Sequence, residues 1–356
     1  MSTVRLVVPP SSFFNFQNAS QPIPPSIPHA IPSDIYTQLL DIRVPITIAT
    51  LYAITVHYLN GLASTSSPPT PYGFAKTKSF KYFVILHNAL LALYSGWTFV
   101  GITSTLRRTI SWENGFGGFV HGLCKIHDDS VAVGINDVSG LSPSIAYGSG
   151  LWEEGLAFYG WLFYLSKFYE VIDTAIILAK GRKSSTLQTY HHAGAMMCMW
   201  AGIRFMSPPI FIFVLFNSAI HTLMYTYYTL SALKIYVPQP LKRLLTTMQI
   251  TQFLVGGSGA AIQIFITYIP PKVLTDISDT IKESSGIELN YMRRGEFVSC
   301  LSGGAEVWAV VTNVVYLTPL TYLFVMFFIK SYLAPKRGGE RKKASAARVE
   351  KEEVAN

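Results

Sequence analysis

Apolar runs of about twenty residues recur along the chain, and they constrain its fold more than any other feature. Half of the 356 residues are hydrophobic, only 13% are charged, and the mean hydropathy is +0.32. Soluble domains carry about 25% charged residues, and about 20 apolar residues form a helix long enough to cross a bilayer. The sequence therefore predicts an all-α polytopic membrane protein. Seven transmembrane helices are expected, at about 42–60, 82–104, 154–178, 191–206, 209–232, 244–269 and 305–330.

The segments outside these runs are polar. Residues 1–35 are rich in Pro, Ser and Asn, which predicts a disordered arm, and Asn18 begins a glycosylation sequon. Residues 36–335 form the membrane domain, and residues 336–356 form a charged tail. Lys and Arg are concentrated in alternate loops and in the tail, so the positive-inside rule predicts a lumenal amino terminus and a cytosolic carboxyl terminus. The three cysteines are scattered and include no CxxC pair, which indicates neither a metal knuckle nor a disulfide framework.

The third apolar run contains charged residues, namely Lys167, Glu170 and Asp173. A charge at the bilayer centre costs ~2.5–3.5 kcal/mol on insertion scales, so such groups usually pair with one another and serve a function. Lys167, Glu170 and Thr174 fall within a ~60° stripe of one helix face. An ion pair that only fixes helix packing is the alternative interpretation.

Three further apolar runs carry polar residues. The fourth begins with the pair His191 and His192. Polar and aromatic residues recur at helical spacing in the fifth and sixth runs, namely Asn217, His221, Met224, Tyr225, Tyr228, Thr246, Gln249 and Gln252. Hydrogen-bonded helix interfaces would give similar stripes. Because all of these residues are predicted at one depth of the membrane, we interpret them as a single site.

The histidines limit the chemistry of such a site. None of the eight histidines forms an HxxxH pair, so a histidine-box metal centre is disfavoured and neither a metal nor another cofactor is predicted. Nucleophilic catalysis remains, in which a neutral imidazole accepts an acyl group and transfers it.

Four motifs then carry a family resemblance. They are SKFYEVIDT, TYHH, NSAIHTLMYTYY and TTMQITQ, which resemble KxxExxDT, a histidine box, NxxxHxxMYxYY and TxxQxxQ. Together they resemble the ELO family of very-long-chain fatty acid elongases over about residues 40–335. One departure is Gln188, which replaces the first histidine of the usual HxxHH box, as it does in some family members.

The resemblance implies a fold and an activity. Six helices are expected around a closed acyl tunnel, with a seventh outside. The implied reaction is condensation of a long-chain acyl-CoA with malonyl-CoA, giving 3-oxoacyl-CoA, carbon dioxide and CoA, through a histidine acyl-enzyme. It also implies residence in the endoplasmic reticulum membrane, contact with membrane lipid and other enzymes of the elongation cycle, a possible homodimer, and no nucleic-acid partner. A seven-helix lipid-binding receptor or transporter that does not elongate is the alternative.

The same resemblance assigns roles to residues. His191 is the expected acyl acceptor. Its other ring nitrogen must be oriented by an acceptor, for which Glu170 and Asp173 are the candidates. The remaining catalytic candidates are His221, His192, Lys167 and Asn217. The candidates for substrate binding are Gln188, Tyr225, Tyr228, Gln249 and Gln252. Lys180, Arg182, Lys183, Lys242 and Arg243 are expected to meet the CoA phosphates, unless they only set the topology. The tunnel is expected to end near residues 264–269 and 307–311.

Overall fold

The computed structural model describes residues 3–15, 27–28, 30–63, 70–112, 115–134, 144–148, 150–270 and 297–333, and it is mostly helical. Its α-helices are α1 (Ser33–Leu39), α2 (Arg43–Ala63), α3 (Lys78–Thr109), α4 (Gly115–Cys124), α5 (Trp161–Tyr169), α6 (Val171–Ala179), α7 (Thr186–Arg204), α8 (Ile210–Ala232), α9 (Gln239–Ile262) and α10 (Gly304–Phe328). Five short strands are β1 (Val4–Leu6), β2 (Asp128–Gly134), β3 (Ser144–Gly148), β4 (Ile266–Tyr268) and β5 (Val298–Ser299).

Four of these helices are long and apolar enough to cross a membrane. They are α2, α3, α8 and α10 with its continuation to Leu333. These helices are consistent with the prediction of a helical membrane protein. The other three predicted runs also form helices, α5 with α6, α7 and α9, but each is either interrupted or richer in polar residues. Seven membrane spans thus remain a prediction.

Local sequence explains where several helices begin. The Thr77 side chain accepts a hydrogen bond from the Phe80 amide (3.2 Å) at the start of α3, and Ser185 accepts one from the Gln188 amide (3.1 Å) at the start of α7. Each bond satisfies an amide that has no partner within its helix. Pro209 immediately precedes α8, since proline is readily accommodated where a helix begins.

The third run is irregular. A π-helix (Trp152–Gly160) leads into α5, and α5 meets α6 at Glu170, whose ψ of −11° departs from helical geometry. This break lies between the charged residues Lys167 and Asp173. The third run is therefore not one continuous α-helix.

The long helices follow one another around a common interior. α3 packs along α8, α8 against α9, α9 against α10, and α10 against α7. α7 contacts α5, and the π-helix before α5 returns to α3. α2 lies outside this order, against α6 and α7.

A small sheet and a disulfide cover one end of the helices. β1 pairs antiparallel with β4, so that Val4 lies opposite Tyr268, and β4 pairs with β5. A disulfide joins Cys124 at the end of α4 to Cys300 after β5. The cysteine spacing gave no indication of this disulfide, because the two cysteines are 176 residues apart and only the fold brings them together. Two short elements, β1 and the 3-10 turn Ser11–Phe14, lie within the arm that was expected to be disordered or loosely held. Asn18 and the charged tail lie outside the described residues.

The loops rich in Lys and Arg lie at the opposite end. The Asn60 side chain bonds both the amide and the carbonyl of Ser184 (2.9 Å each), which ties α2 to the loop between α6 and α7. The Tyr332 hydroxyl donates to the Lys242 carbonyl (3.2 Å), which brings the end of the α10 segment to the start of α9. The two ends of the helix bundle therefore differ in chemistry, since one holds a disulfide and the other the basic loops.

Candidate active site

A buried ion pair lies where α5 meets α6. Lys167 Nζ donates to Glu170 Oε1 at 2.6 Å and to Asn217 Oδ1 of α8 at 3.1 Å. Both charged side chains are 3% exposed. The Lys167 ammonium also lies 4.1 Å from the centre of the Phe163 ring. A pair this deeply buried requires several partners, because removing each charge from water is costly.

Two of the predicted histidines flank the same carboxylate. Glu170 lies 3.7 Å from His221 Nδ1 and 3.9 Å from His192 Nδ1. His192 Nε2 lies 2.8 Å from the Gln188 amide nitrogen. In either orientation of that amide, the Nε2 atom of His192 is engaged in a hydrogen bond. His192 is therefore poorly suited to attack a substrate with this atom.

Asp173 belongs to a separate hydrogen-bond network. One carboxylate oxygen lies 2.7 Å from His87 Nε2 of α3, and the other accepts from the Tyr225 hydroxyl of α8 at 2.6 Å. The Tyr169 hydroxyl lies 3.3 Å from the other ring nitrogen of His87. This network joins four helices, α3, α5, α6 and α8, beside the ion pair.

His191 contacts a residue that the sequence did not single out. Its Nδ1 atom lies 2.9 Å from the Tyr316 hydroxyl of α10. Neither Glu170 nor Asp173, the two candidates to orient His191, bonds to it among the described contacts. The described partner of the His191 ring is instead Tyr316, which lies 125 residues later in the chain.

A cavity begins at His191 and is mostly apolar. Its polar lining residues are Lys167, His191, Asn217, Gln252, Asn313 and Tyr316. Its apolar lining includes Phe163, Ala195, Met199, Ile212, Phe213, Phe216, Phe253, Leu317 and Leu320. On α5, α7 and α8, the apolar lining residues lie closer than the polar ones to the end of the bundle that holds the disulfide. The residues expected to close a tunnel, 264–269 and 307–311, do not line this cavity.

The predicted substrate-binding residues are distributed more widely. Gln252 lines the cavity, whereas Gln249 Nε2 points to Met224 Sδ at 3.5 Å. The Tyr228 ring packs against the Tyr225 ring, with their centres 6.0 Å apart. Tyr225 in turn donates a hydrogen bond to Asp173.

The five predicted phosphate-binding residues lie at the loop end and not in the cluster. Lys242 and Arg243 lie against the Tyr227 and Phe328 rings, at 5.8 and 5.5 Å from the ring centres. Lys180, Arg182 and Lys183 follow α6 and are exposed. Partial burial, together with the Arg182 guanidinium, lowers the pKa of Lys180. These cations can attract an anion at the loop end, but none contacts the ion pair in the described structure.

Sequence reasoning missed three members of this region. Tyr316 looks like any other of the chain's 20 tyrosines. His87 was given no role, although a histidine within an apolar run is itself a signal. Tyr52 of α2, whose hydroxyl lies 2.9 Å from Thr174 Oγ1, had no distinguishing pattern. No group of three His, Cys, Asp or Glu side chains suited to a metal ion occurs among the described residues.

These features define a helical membrane protein with a buried cluster of acid–base groups at the edge of an apolar cavity. The chain belongs to the ELO (GNS1/SUR4) family, whose model matches residues 37–340. The resemblance inferred from the four motifs is thereby confirmed.

Its relatives are named as fatty acid elongases. Fatty acid elongase 2 of Trypanosoma brucei brucei is 26% identical over 289 residues, which cover 76% of this chain and 97% of that protein. Putative fatty acid elongase 4 of Caenorhabditis elegans is 28% identical, over 81% of this chain and 77% of that protein. Very long chain fatty acid elongase 3 of Homo sapiens is 35% identical over 130 residues, 36% of this chain and 47% of that protein. No solved structure matches the chain.

Proposed function

We propose that this protein condenses a long-chain acyl-CoA with malonyl-CoA, giving 3-oxoacyl-CoA, carbon dioxide and CoA. The observation that carries the proposal is the position of His191, whose imidazole lines an apolar cavity beside the buried Lys167–Glu170 pair. An acyl chain requires an apolar cavity, and its thioester requires a nucleophile and hydrogen-bond donors at the edge of that cavity.

In the first half-reaction, His191 Nε2 attacks the thioester carbonyl carbon. The carbon–sulfur bond breaks, and the thiolate leaves with the electron pair. His191 is a better nucleophile than His192, because Gln188 engages the Nε2 atom of His192 at 2.8 Å. The product is an acyl-imidazole, which remains activated for the second step.

In the second half-reaction, malonyl-CoA loses carbon dioxide, and its carbanion attacks the acyl carbon. The bond from that carbon to His191 Nε2 then breaks, which releases 3-oxoacyl-CoA and frees the imidazole. Negative charge develops on the malonyl thioester oxygen, and one preorganised donor at such a position typically contributes ~2.7–4 kcal/mol. Lys167 and Asn217 are the best-supported donors, because they line the same cavity as His191. Gln249 is less well supported, since its amide points to Met224.

The proposed orientation follows from the two ends of the molecule. CoA is anionic and would bind at the basic loop end, which we assign to the cytosol. Disulfides persist in oxidising compartments, so we assign the end with Cys124 and Cys300 to the lumen of the endoplasmic reticulum. In this arrangement seven spans cross the membrane, and the cavity is the inner part of an acyl tunnel open to the cytosol.

An assay of the purified full-length protein in lipid nanodiscs tests this proposal. A panel of acyl-CoAs of different length is incubated with malonyl-CoA labelled at C2, and the products are separated by mass. Labelled 3-oxoacyl-CoA, two carbons longer than the substrate, is expected from the wild type and not from His191→Ala. Binding of acyl-CoA without any labelled product would instead favour a lipid-binding receptor or transporter.

A further inference from the structure

We propose that Tyr316 positions His191 by fixing which ring nitrogen carries the proton. This inference rests on the proposed role of His191 as the acyl acceptor. Tyr316 lies on α10, is 9% exposed and belongs to none of the four motifs. Its hydroxyl makes two contacts with a single residue, and together these contacts favour one proton arrangement.

The first contact is to the main chain. The Tyr316 hydroxyl donates to the carbonyl oxygen of His191 at 2.9 Å. A hydroxyl has one proton, so this bond leaves only the lone pairs of its oxygen for other partners.

The second contact is to the ring. His191 Nδ1 lies 2.9 Å from the same hydroxyl oxygen. Because the hydroxyl proton is used on the carbonyl, a favourable contact requires Nδ1 to carry a proton and to donate it. The neutral imidazole then has its lone pair on Nε2, the atom that must attack the thioester.

The tyrosine ring is itself held in place. A Cβ atom added at Gly194 would lie 2.2 Å from a carbon of the Tyr316 ring, so the absence of a side chain there permits the close approach of the two helices. On another side, Tyr190 stacks on the ring with centres 5.5 Å apart, and its hydroxyl donates to the Tyr316 carbonyl at 3.2 Å. Gly194 and Tyr190 thus hold the Tyr316 ring in place, and the Tyr316 hydroxyl in turn orients the His191 imidazole.

The arrangement also accounts for the proton during acylation. As the bond from Nε2 to the acyl carbon forms and the carbon–sulfur bond breaks, the ring becomes an acyl-imidazolium that still donates from Nδ1 to Tyr316. The thiolate leaves with the electron pair while the Nδ1 proton stays on the ring, and the carbanion of the second half-reaction then returns the imidazole to its neutral form. Tyr316 touches neither substrate nor thiolate in this scheme and is a positioning residue.

The direct test is the tautomer of His191 in the resting protein. The full-length protein is labelled with ¹⁵N in its histidine rings, and the His191 signals are assigned by comparison with His191→Ala. The expected result is a protonated Nδ1 and an unprotonated Nε2 in the wild type. A proton on Nε2 would overturn the inference, and this measurement requires neither substrate nor a variant of Tyr316.

The kinetic test uses Tyr316→Phe, which keeps the ring but removes the hydroxyl. With acyl-CoA alone, the rate of CoA release should fall about tenfold, the factor expected for one net hydrogen bond, with little change in the acyl-CoA concentration at half saturation. Tyr322→Phe on the same helix is the matched control, since Tyr322 is 62% exposed, and its rate should equal the wild-type rate.

The outcomes separate this inference from the proposed function. If the wild type releases CoA and forms an acyl adduct but Tyr316→Phe does so equally fast, the positioning role is wrong and the function stands. If the wild type forms no adduct, the proposed function fails, whereas the ¹⁵N spectrum still decides the tautomer. That spectrum also decides the question if Tyr316→Phe does not fold.

Discussion

Replacing Lys167 by Met should destabilise the protein strongly, and replacing Glu170 at the same time should restore most of the loss. The two groups are 2.6 Å apart and 3% exposed. At an effective dielectric constant of about 20, their attraction is about 6 kcal/mol, most of which offsets the cost of removing both charges from water. Removing one partner of a buried pair usually costs ~3–5 kcal/mol, since the remaining charge is uncompensated.

The neighbours of the ion pair place the expected loss of stability near the lower limit of this range. His221 Nδ1 lies 3.7 Å from the Glu170 carboxylate and remains a polar neighbour of it in Lys167→Met, so we expect a loss of about 3 kcal/mol. Glu170→Leu should cost a similar amount, because only Asn217 then accepts from the ammonium. The double variant Lys167→Met, Glu170→Leu contains no buried charge at this position and should lie within about 1 kcal/mol of wild type.

Reversible unfolding of the four proteins in mixed micelles measures these free energies. Tyr322→Phe serves as a control for changes at the lipid-facing surface, where no loss is expected. Assays of condensation on the same samples should show no activity in the double variant despite its recovered stability. Losses that simply add in the double variant would refute the claim that the two residues form one coupled pair.

Three further predictions concern the metal, the disulfide and the cavity. Chelators should leave condensation unchanged; loss of activity that iron restores would contradict the histidine mechanism. Cys124→Ser and Cys300→Ser should each lower stability by ~2–5 kcal/mol, and the double variant by no more than either single one, as measured by thermal unfolding; additive losses would count against the bond. Met199→Trp should shorten the longest product, because Met199 lines the cavity about 12 Å along α7 from His191. An unchanged product profile would mean that the chain takes another course.

The charged and histidine residues of the site could be predicted from sequence because they are polar residues within otherwise apolar runs. Lys167 and Glu170 interrupt such a run, and Asn217 recurs at helical spacing with other polar residues. Such a residue can be recognised without knowing which other residue it contacts. The structure brings these residues to one cluster, as their shared depth predicted.

The remaining features depend on pairs of distant residues and leave no local pattern. Tyr316 lies 125 residues after His191, and a tyrosine in an apolar helix is ordinary core packing until its partner is known. Cys124 and Cys300 are equally inconspicuous as single residues. Strand β1 lies in a segment whose composition predicts disorder, and it becomes ordered because β4 offers it a partner. The composition of a segment predicts the behaviour of that segment alone, whereas β1 forms because the fold brings β4 beside it.

The measurement that tests the central claim most directly is the intact mass of the protein after incubation with acyl-CoA in the absence of malonyl-CoA. The wild type should gain the mass of one acyl group, which fragmentation maps to His191, with one equivalent of CoA released. His191→Ala should show neither adduct nor release. An adduct that persists in His191→Ala, or one that maps to His192 or His221, would contradict the assignment of His191 as the acyl acceptor.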